Sequence, residues 1–406
     1  MTTATGVALA LIVALLGLSV ATGEWSKQAE KPAAAAAKPK PKPAADVATI
    51  ASRVEAIRGL RFKRRPVPAV VTPAQARREG LEDLDRSYPV ERRRADEEVL
   101  KLLGLLEAKV DLREVSASVF GEGVAGYYDP RTGRLRVVKG VQTTNPALNE
   151  ITLAHELNHA LEDQRFKLGL EEETGNDDAD LAKLALIEGT ATALMLEYAE
   201  RHLGPEATLG GFLESAGQDT GSLPPFVEAQ LIFPYASGQQ FAERLYRTAG
   251  NRWAVIDAAL RFRPPASTEQ VLHPDAYLKV QEPRKVRVDA RKALGDGWKR
   301  LARGTWGEWA TAELLGDASA SAGWGGDAYE LWQREGGACP APCTARDALI
   351  MRWRWDDAKE QREAETALRA WAAKRRSPVR VATRGGETTL VLAPSAELAA
   401  RLAREA

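Results

Sequence analysis

Apolar positions recur at three- and four-residue spacing over two long stretches of this chain, and each stretch carries unusual polar residues within it. In the first, Leu148, Ile151, Ala154, Leu157 and Leu161 mark one stripe of a helix, the pattern of a face turned toward a core. Thr143, Thr144 and Asn145 offer capping oxygens ahead of it, Pro146 suits its first turn, and neither Gly nor Pro follows until Gly169. The second stretch, 180–198, sets Leu184, Leu186, Ile187, Ala191 and Leu194 around Glu188 and Gly189. Asp177, Asp178 and Asp180 stand near its start, where acidic groups favour the helix dipole.

Shorter patterns fill in the rest. Val47, Ile50, Val54 and Ile57 predict an amphipathic helix; residues 66–71 read as a short strand, and Thr72-Pro73-Ala74-Gln75 as a capping box. Residues 124–138 read as a hairpin turning at 129–133. Residues 225–280 are helical in pattern, with Gly250 closing a helix over 241–249. Beyond about residue 320, strands at 329–334, 348–353, 379–383 and 388–392, a helix at 358–374 and a final helix predict a small α+β layer. Trp324, Trp332, Trp353 and Trp355 are expected in its core. The whole is α+β: a mainly helical part with a small antiparallel sheet, then a C-terminal α+β domain.

Chemistry concentrates in the first helix. The chain has four histidines, and two of them stand in His155-Glu156-Leu157-Asn158-His159. Histidines four apart on a helix lie one turn above each other, about 5–6 Å between Cβ atoms, so both imidazoles can reach one metal ion. Glu156 then stands beside the open coordination position. Two buried, hydrogen-bonded histidines beside a solvated Glu are the plain alternative. A carboxylate within an apolar helix is costly unless paired or bound to metal, which makes Glu188 the candidate third ligand; an ion pair with Arg or Lys is the other account. Gly189 weakens its helix, so something is expected to approach closely there.

These residues resemble a family. H-E-x-x-H followed by a Glu on a second helix is the pattern of gluzincin metallopeptidases. More narrowly, the run from His155 to Gln164 and Glu188-Gly189-Thr190-Ala191 is similar to an exported, mostly uncharacterised group of bacterial and archaeal metallopeptidase-like proteins. Tyr127-Tyr128-Asp129-Pro130, the run from Pro264 to Pro274, and Gly323-Trp324-Gly325-Gly326-Asp327 echo the same group. The resemblance implies a zincin-like fold over 47–285 and a zinc-dependent peptidase. One zinc ion would be held by His155, His159 and Glu188, with Glu156 as general base. It also implies an edge strand that binds substrate backbone, which would fall to Tyr127 and Tyr128; a plain structural hairpin is the other reading. An oxyanion helper is expected in such sites. His273 is the candidate, with Tyr235 and Tyr277 in reserve, although His273 before Pro274 equally suits a turn. Asp163, one turn past His159, and Thr192, after Glu188, are placed to orient the ligands. A non-proteolytic zinc hydrolase or a metal-stabilised envelope binding module fits the same motif.

Composition bounds the setting. Over 406 residues, Lys+Arg and Asp+Glu both number 56, which argues for neither nucleic acid nor an acidic substrate; the expected partner is a peptide or protein. Residues 1–23 carry no charged side chain, and 7–21 are almost continuously apolar, the make-up of a signal peptide or a membrane anchor. An Ala/Lys/Pro-rich tether follows over 24–46. That order predicts an exported protein of the periplasm, envelope or extracellular space. The only cysteines, Cys339 and Cys343, would then form a small disulfide loop, with a pair of free thiols as the other state. The C-terminal domain is expected over 286–406.

Overall fold

The computed structural model describes residues 45–122, 126–139, 146–169, 175–204 and 223–405. The N-terminal apolar run, the tether up to residue 44 and the capping residues Thr143, Thr144 and Asn145 lie outside the described residues. Among these, no helix is long and apolar enough to cross a membrane.

The helical part runs α1 (Val47–Arg58), β1 (Ala69–Val71), α2 (Pro73–Ser87), α3 (Val90–Leu103), α4 (Leu112–Glu122), β2 (Gly126–Asp129), β3 (Arg134–Val138), α5 (Pro146–Phe166), α6 (Asp177–His202), α7 (Pro225–Thr248), α8 (Ala254–Phe262), α9 (Thr268–Leu272) and α10 (Pro274–Leu278). Local chemistry fixes many of these ends. Asp46 accepts from the Thr49 amide at the start of α1, and Thr72 and Gln75 form the reciprocal capping box that opens α2. Asn176 accepts from the amides of Asp178 and Ala179, so α6 begins earlier than its apolar stripe suggests. The stripes of α1, α5, α6 and α7 then bury one core, with Ile50, Leu157, Leu186 and Phe241 all at 1% exposure or less.

The small sheet departs from expectation. Its order is β1-β3-β2, with β2 antiparallel and β1 parallel to β3, so it is mixed and not antiparallel. Three helices intervene between β1 and the hairpin, and a crossover of that length brings a strand back in the same direction.

The C-terminal part runs α11 (Arg291–Leu294), β4 (Trp298–Gly304), α12 (Gly307–Leu315), β5 (Trp324–Arg334), β6 (Asp347–Trp355), α13 (Ala358–Ala373), β7 (Val379–Arg384), β8 (Glu387–Leu392) and α14 (Ala396–Glu405). Its antiparallel sheet has the order β4-β5-β6-β8-β7. Alternate residues go to opposite faces. Leu349, Met351 and Trp353 join Ala364 and Leu368 of α13, while Ala348 and Ile350 join Leu402 of α14 and Leu294 of α11. All four expected tryptophans are buried. Cys339 and Cys343 are disulfide-bonded.

One helix crosses the anticipated boundary at 285/286. Ala95, Val99, Leu102 and Leu103 of α3 pack into the core of the C-terminal sheet, on the same face as α13. The Cys343 amide donates to Glu98 of α3 at 2.6 Å, and Arg375 donates to the Leu103 carbonyl.

Candidate metal centre

Two buried charge hubs hold α1, α5 and α6 in place. Glu150 of α5 accepts from Arg53 and from the Tyr198 hydroxyl of α6, both at 2.6 Å, and from the Ala45 amide at 2.8 Å. The Arg58 guanidinium is wholly buried; it meets Glu162 of α5 at 3.0 Å and Asp257 of α8 at 2.7 Å. It also lies 4.3 Å from the Trp253 ring centroid. A buried cation held by carboxylates and an aromatic face tolerates no loose packing.

Between these hubs, one turn of α5 faces one turn of α6. His155 Nε2 lies 3.0 Å from His159 Nε2, and Glu188 Oε2 lies 3.2 Å and 3.3 Å from the two. All three side chains are buried, and their ligand atoms form a group able to hold a metal ion. Among the described residues, neither Nδ1 has a partner, and neither does Glu188 Oε1. Both imidazoles therefore aim their Nε2 edges at a common point instead of at separate protein acceptors.

Glu156 is buried beside this triangle. Its Oε2 accepts from the Tyr128 amide at 2.9 Å, so the edge strand β2 fixes where the carboxyl points. Burial pushes Glu156 up to about 8, and the nearby Glu188 adds to this, against the pull of His155 and the Tyr128 amide. Glu188 goes the other way. Burial opposes its ionisation, yet the two imidazoles hold it down at about 2. Two carboxyls within one small volume are thus pushed in opposite directions, Glu156 toward its protonated form and Glu188 toward its ionised form. Burial works to lower His159, and the Glu188 carboxylate overrides it to raise it.

Gly189 explains itself in three dimensions. A Cβ there would stand 2.0 Å from the Gly238 carbonyl oxygen of α7, and one on Gly238 would stand 2.1 Å from the Ala185 carbonyl oxygen of α6. Helices α6 and α7 touch backbone to backbone, which only two facing glycines permit. One turn before Gly238, Tyr235 leans across the site. Its ring stacks on His155, centroids 6.1 Å apart, and its hydroxyl hydrogen-bonds the Glu188 carboxylate; burial first, then Glu188 and Glu156, raise it far above the ordinary tyrosine range.

The other expected site residues sit elsewhere. His273 Nε2 meets Glu308 of α12 at 2.9 Å and also feels Glu269 and Asp356; the ring is committed to that carboxylate cluster, whereas Tyr235 lies against His155. Tyr277 donates to the Arg263 carbonyl and packs edge-on against Phe241. Tyr127 donates to Glu79 of α2. Asp163 accepts from the Tyr128 hydroxyl at 2.9 Å and not from His159. Thr192 donates to the main-chain carbonyl of Glu188 at 2.8 Å, not to its carboxylate. Asp163 thus positions β2, and Thr192 closes a bond inside its own helix.

Two contributors escaped the sequence reading. Glu162 shares the buried face of α5 with both histidines, a visible signal being its three-residue offset from His159. Its partner Arg58 ends an otherwise apolar stripe on α1, and nothing local ties the two together.

Residues 292–405 match the profile of a domain of unknown function, DUF8575. No curated protein and no solved structure matches the chain.

Proposed function

We propose that this protein is a zinc-dependent peptidase whose metal is held by His155, His159 and Glu188. The observation that carries the proposal is the ligand triangle, with edges of 3.0, 3.2 and 3.3 Å. Bonds of about 2.0–2.2 Å in a tetrahedral zinc site put ligand atoms about 3.3–3.5 Å apart, so a modest outward adjustment fits the ion. Three protein ligands leave a fourth position open, the arrangement of a catalytic and not a structural site. When bound, zinc supplies Lewis acidity to water and to a substrate carbonyl.

The chain's own residues supply the rest. Glu156, oriented by the Tyr128 amide, takes a proton from the attacking water and passes it to the leaving amine. A divalent charge beside Glu156 offsets the burial that raises it and readies the carboxylate to act as a base. The Tyr235 hydroxyl donates a hydrogen bond to the oxygen that gains charge. Strand β2 lies at an edge of its sheet, and a peptide laid along it gains main-chain hydrogen bonds.

Metal analysis of the purified full chain and a digest of an unbiased peptide library test this. About one zinc per chain and cleavage by wild type are expected. Glu156→Gln keeps the metal and loses turnover by at least about 100-fold; Tyr235→Phe keeps it and slows turnover by about 10-fold or more. Equal cleavage by Glu156→Gln, or a wild-type chain that takes up no zinc, overturns the proposal.

A further inference from the structure

A second polar cluster lies apart from the ligand triangle, around a cavity of about 220 Å³. The cavity sits where the first turns of α6 and α7 meet α3, α4 and the segment leading into α12. Leu100, Val115, Leu181, Leu231 and Trp309 give it apolar walls. Its charged members are Arg92, Asp96, Asp177 and Asp178, three carboxyls against one guanidinium. Arg92 is already engaged by Asp96 at 2.8 Å and Asp177 at 2.6 Å. Asp178 Oδ1 accepts from the Thr268 amide and hydroxyl at 3.1 and 2.5 Å.

Three polar atoms are left over. Asp96 Oδ1, Asp178 Oδ2 and Trp306 Nε1 are buried and have no partner among the described residues, and all three side chains line this cavity. Asp178 is only 2% exposed. A buried polar atom without a partner is costly, and three around one apolar space point to an occupant that pairs with them. Two are carboxyl oxygens, which call for N–H donors, and the excess of carboxyls favours a cation. The third is an indole N–H, which calls for an acceptor. The volume falls below the about 300–1,000 Å³ of pockets for drug-sized ligands, so the hydrocarbon part is one ring or one branched chain.

We propose that this cavity binds an α-amino amide with an apolar side chain, the ammonium on Asp178 and Asp96, the carbonyl on Trp306, and the side chain against Leu181, Leu231 and Trp309. That is the chemistry of the first residue of a peptide. Burial raises Asp178 to about 7 and Asp96 to about 6, and a bound cation would return both to the ionised state. The site stands or falls independently of the peptidase reading, since none of its residues is a proposed ligand or general base.

Calorimetry with L-phenylalaninamide on the zinc-loaded full chain tests it, with N-acetyl-L-phenylalaninamide as the uncharged counterpart. Saturable binding is expected, weakened at least tenfold by acetylation, by Val115→Trp, which fills the space from α4, and by Asp178→Asn. Should Val115→Trp fail to fold, Asp178→Asn decides alone, its fold checked by circular dichroism. Absence of saturable binding, equal affinity for the acetylated compound, or variants that bind like wild type overturn the proposal.

Discussion

Replacing Gly238 by alanine asks whether the contact between α6 and α7 is as close as described. Alanine is the better helix former, by about 1 kcal/mol in an exposed helix, so a loose crossing would be stabilised. The added Cβ, however, would sit 2.1 Å from the Ala185 carbonyl oxygen. Restoring ordinary contact requires the helices to part locally by about 1.3 Å, and the atom struck is main chain, which cannot rotate away as a side chain would. Overpacking costs about 1–3 kcal/mol, and here the upper end applies. Subtracting the propensity gain leaves a net loss of about 1–2 kcal/mol, or roughly 2–4 °C in Tm. Tyr235, one turn away, shifts with the helix, so zinc affinity falls as well. Thermal denaturation of metal-loaded and chelated protein reads both effects. Gly189→Ala strikes the same crossing from the other side, so the double variant loses less than the sum of the two. A Gly238→Ala chain that melts at or above the wild-type temperature refutes the close approach.

Other outcomes follow from the same geometry. Glu188→Ala lowers zinc affinity by more than about 100-fold, since changes to groups outside the ligand set cost about 10–100-fold. Glu197→Ala, which only releases Arg201, leaves affinity unchanged in a competition titration; equal losses would move the third ligand elsewhere. Arg58→Met strands Glu162 and costs about 3–5 kcal/mol in a urea titration, and adding Glu162→Leu recovers most of it; a loss below about 1 kcal/mol for Arg58→Met would contradict the buried hub. Asp178, raised by burial from 3.8 to about 7 beside Asp327 and Glu308, holds its proton more tightly folded than unfolded. Its stabilising contribution is full below pH 3.8 and is lost as pH rises through about 7. Asp178→Asn therefore flattens the fall in stability over that range, and parallel wild-type and variant curves would show that Asp178 does not titrate as described.

The helix that carries His155 and His159 was legible because everything it needs is local: a stripe of apolar residues, a proline at its start, and two histidines one turn apart. Gly189 also signalled a close neighbour, although not which one. What could not be read is how separate helices cross. Sequence put His273 ahead of Tyr235 as a helper, and only the Gly189–Gly238 contact, between helices remote in sequence, lays Tyr235 over His155. The parallel β1–β3 pair has no turn between its strands to announce it. Strand β4 was missed for a different reason. Only Ala302 of its seven residues is buried, so an edge strand of this kind shows no alternation.

The insertion of α3 beneath the C-terminal sheet bears on how the DUF8575 segment can be handled as a unit. A fragment cut at residue 292, where the match begins, would leave α3 behind and uncover the patch that Val99, Leu102 and Leu103 now seal. Bare apolar surface beside strands invites pairing with other chains, so the excised segment should precipitate or associate, whereas one carrying residues 90–103 in trans should stay dispersed. The segment is therefore not a cassette that travels alone.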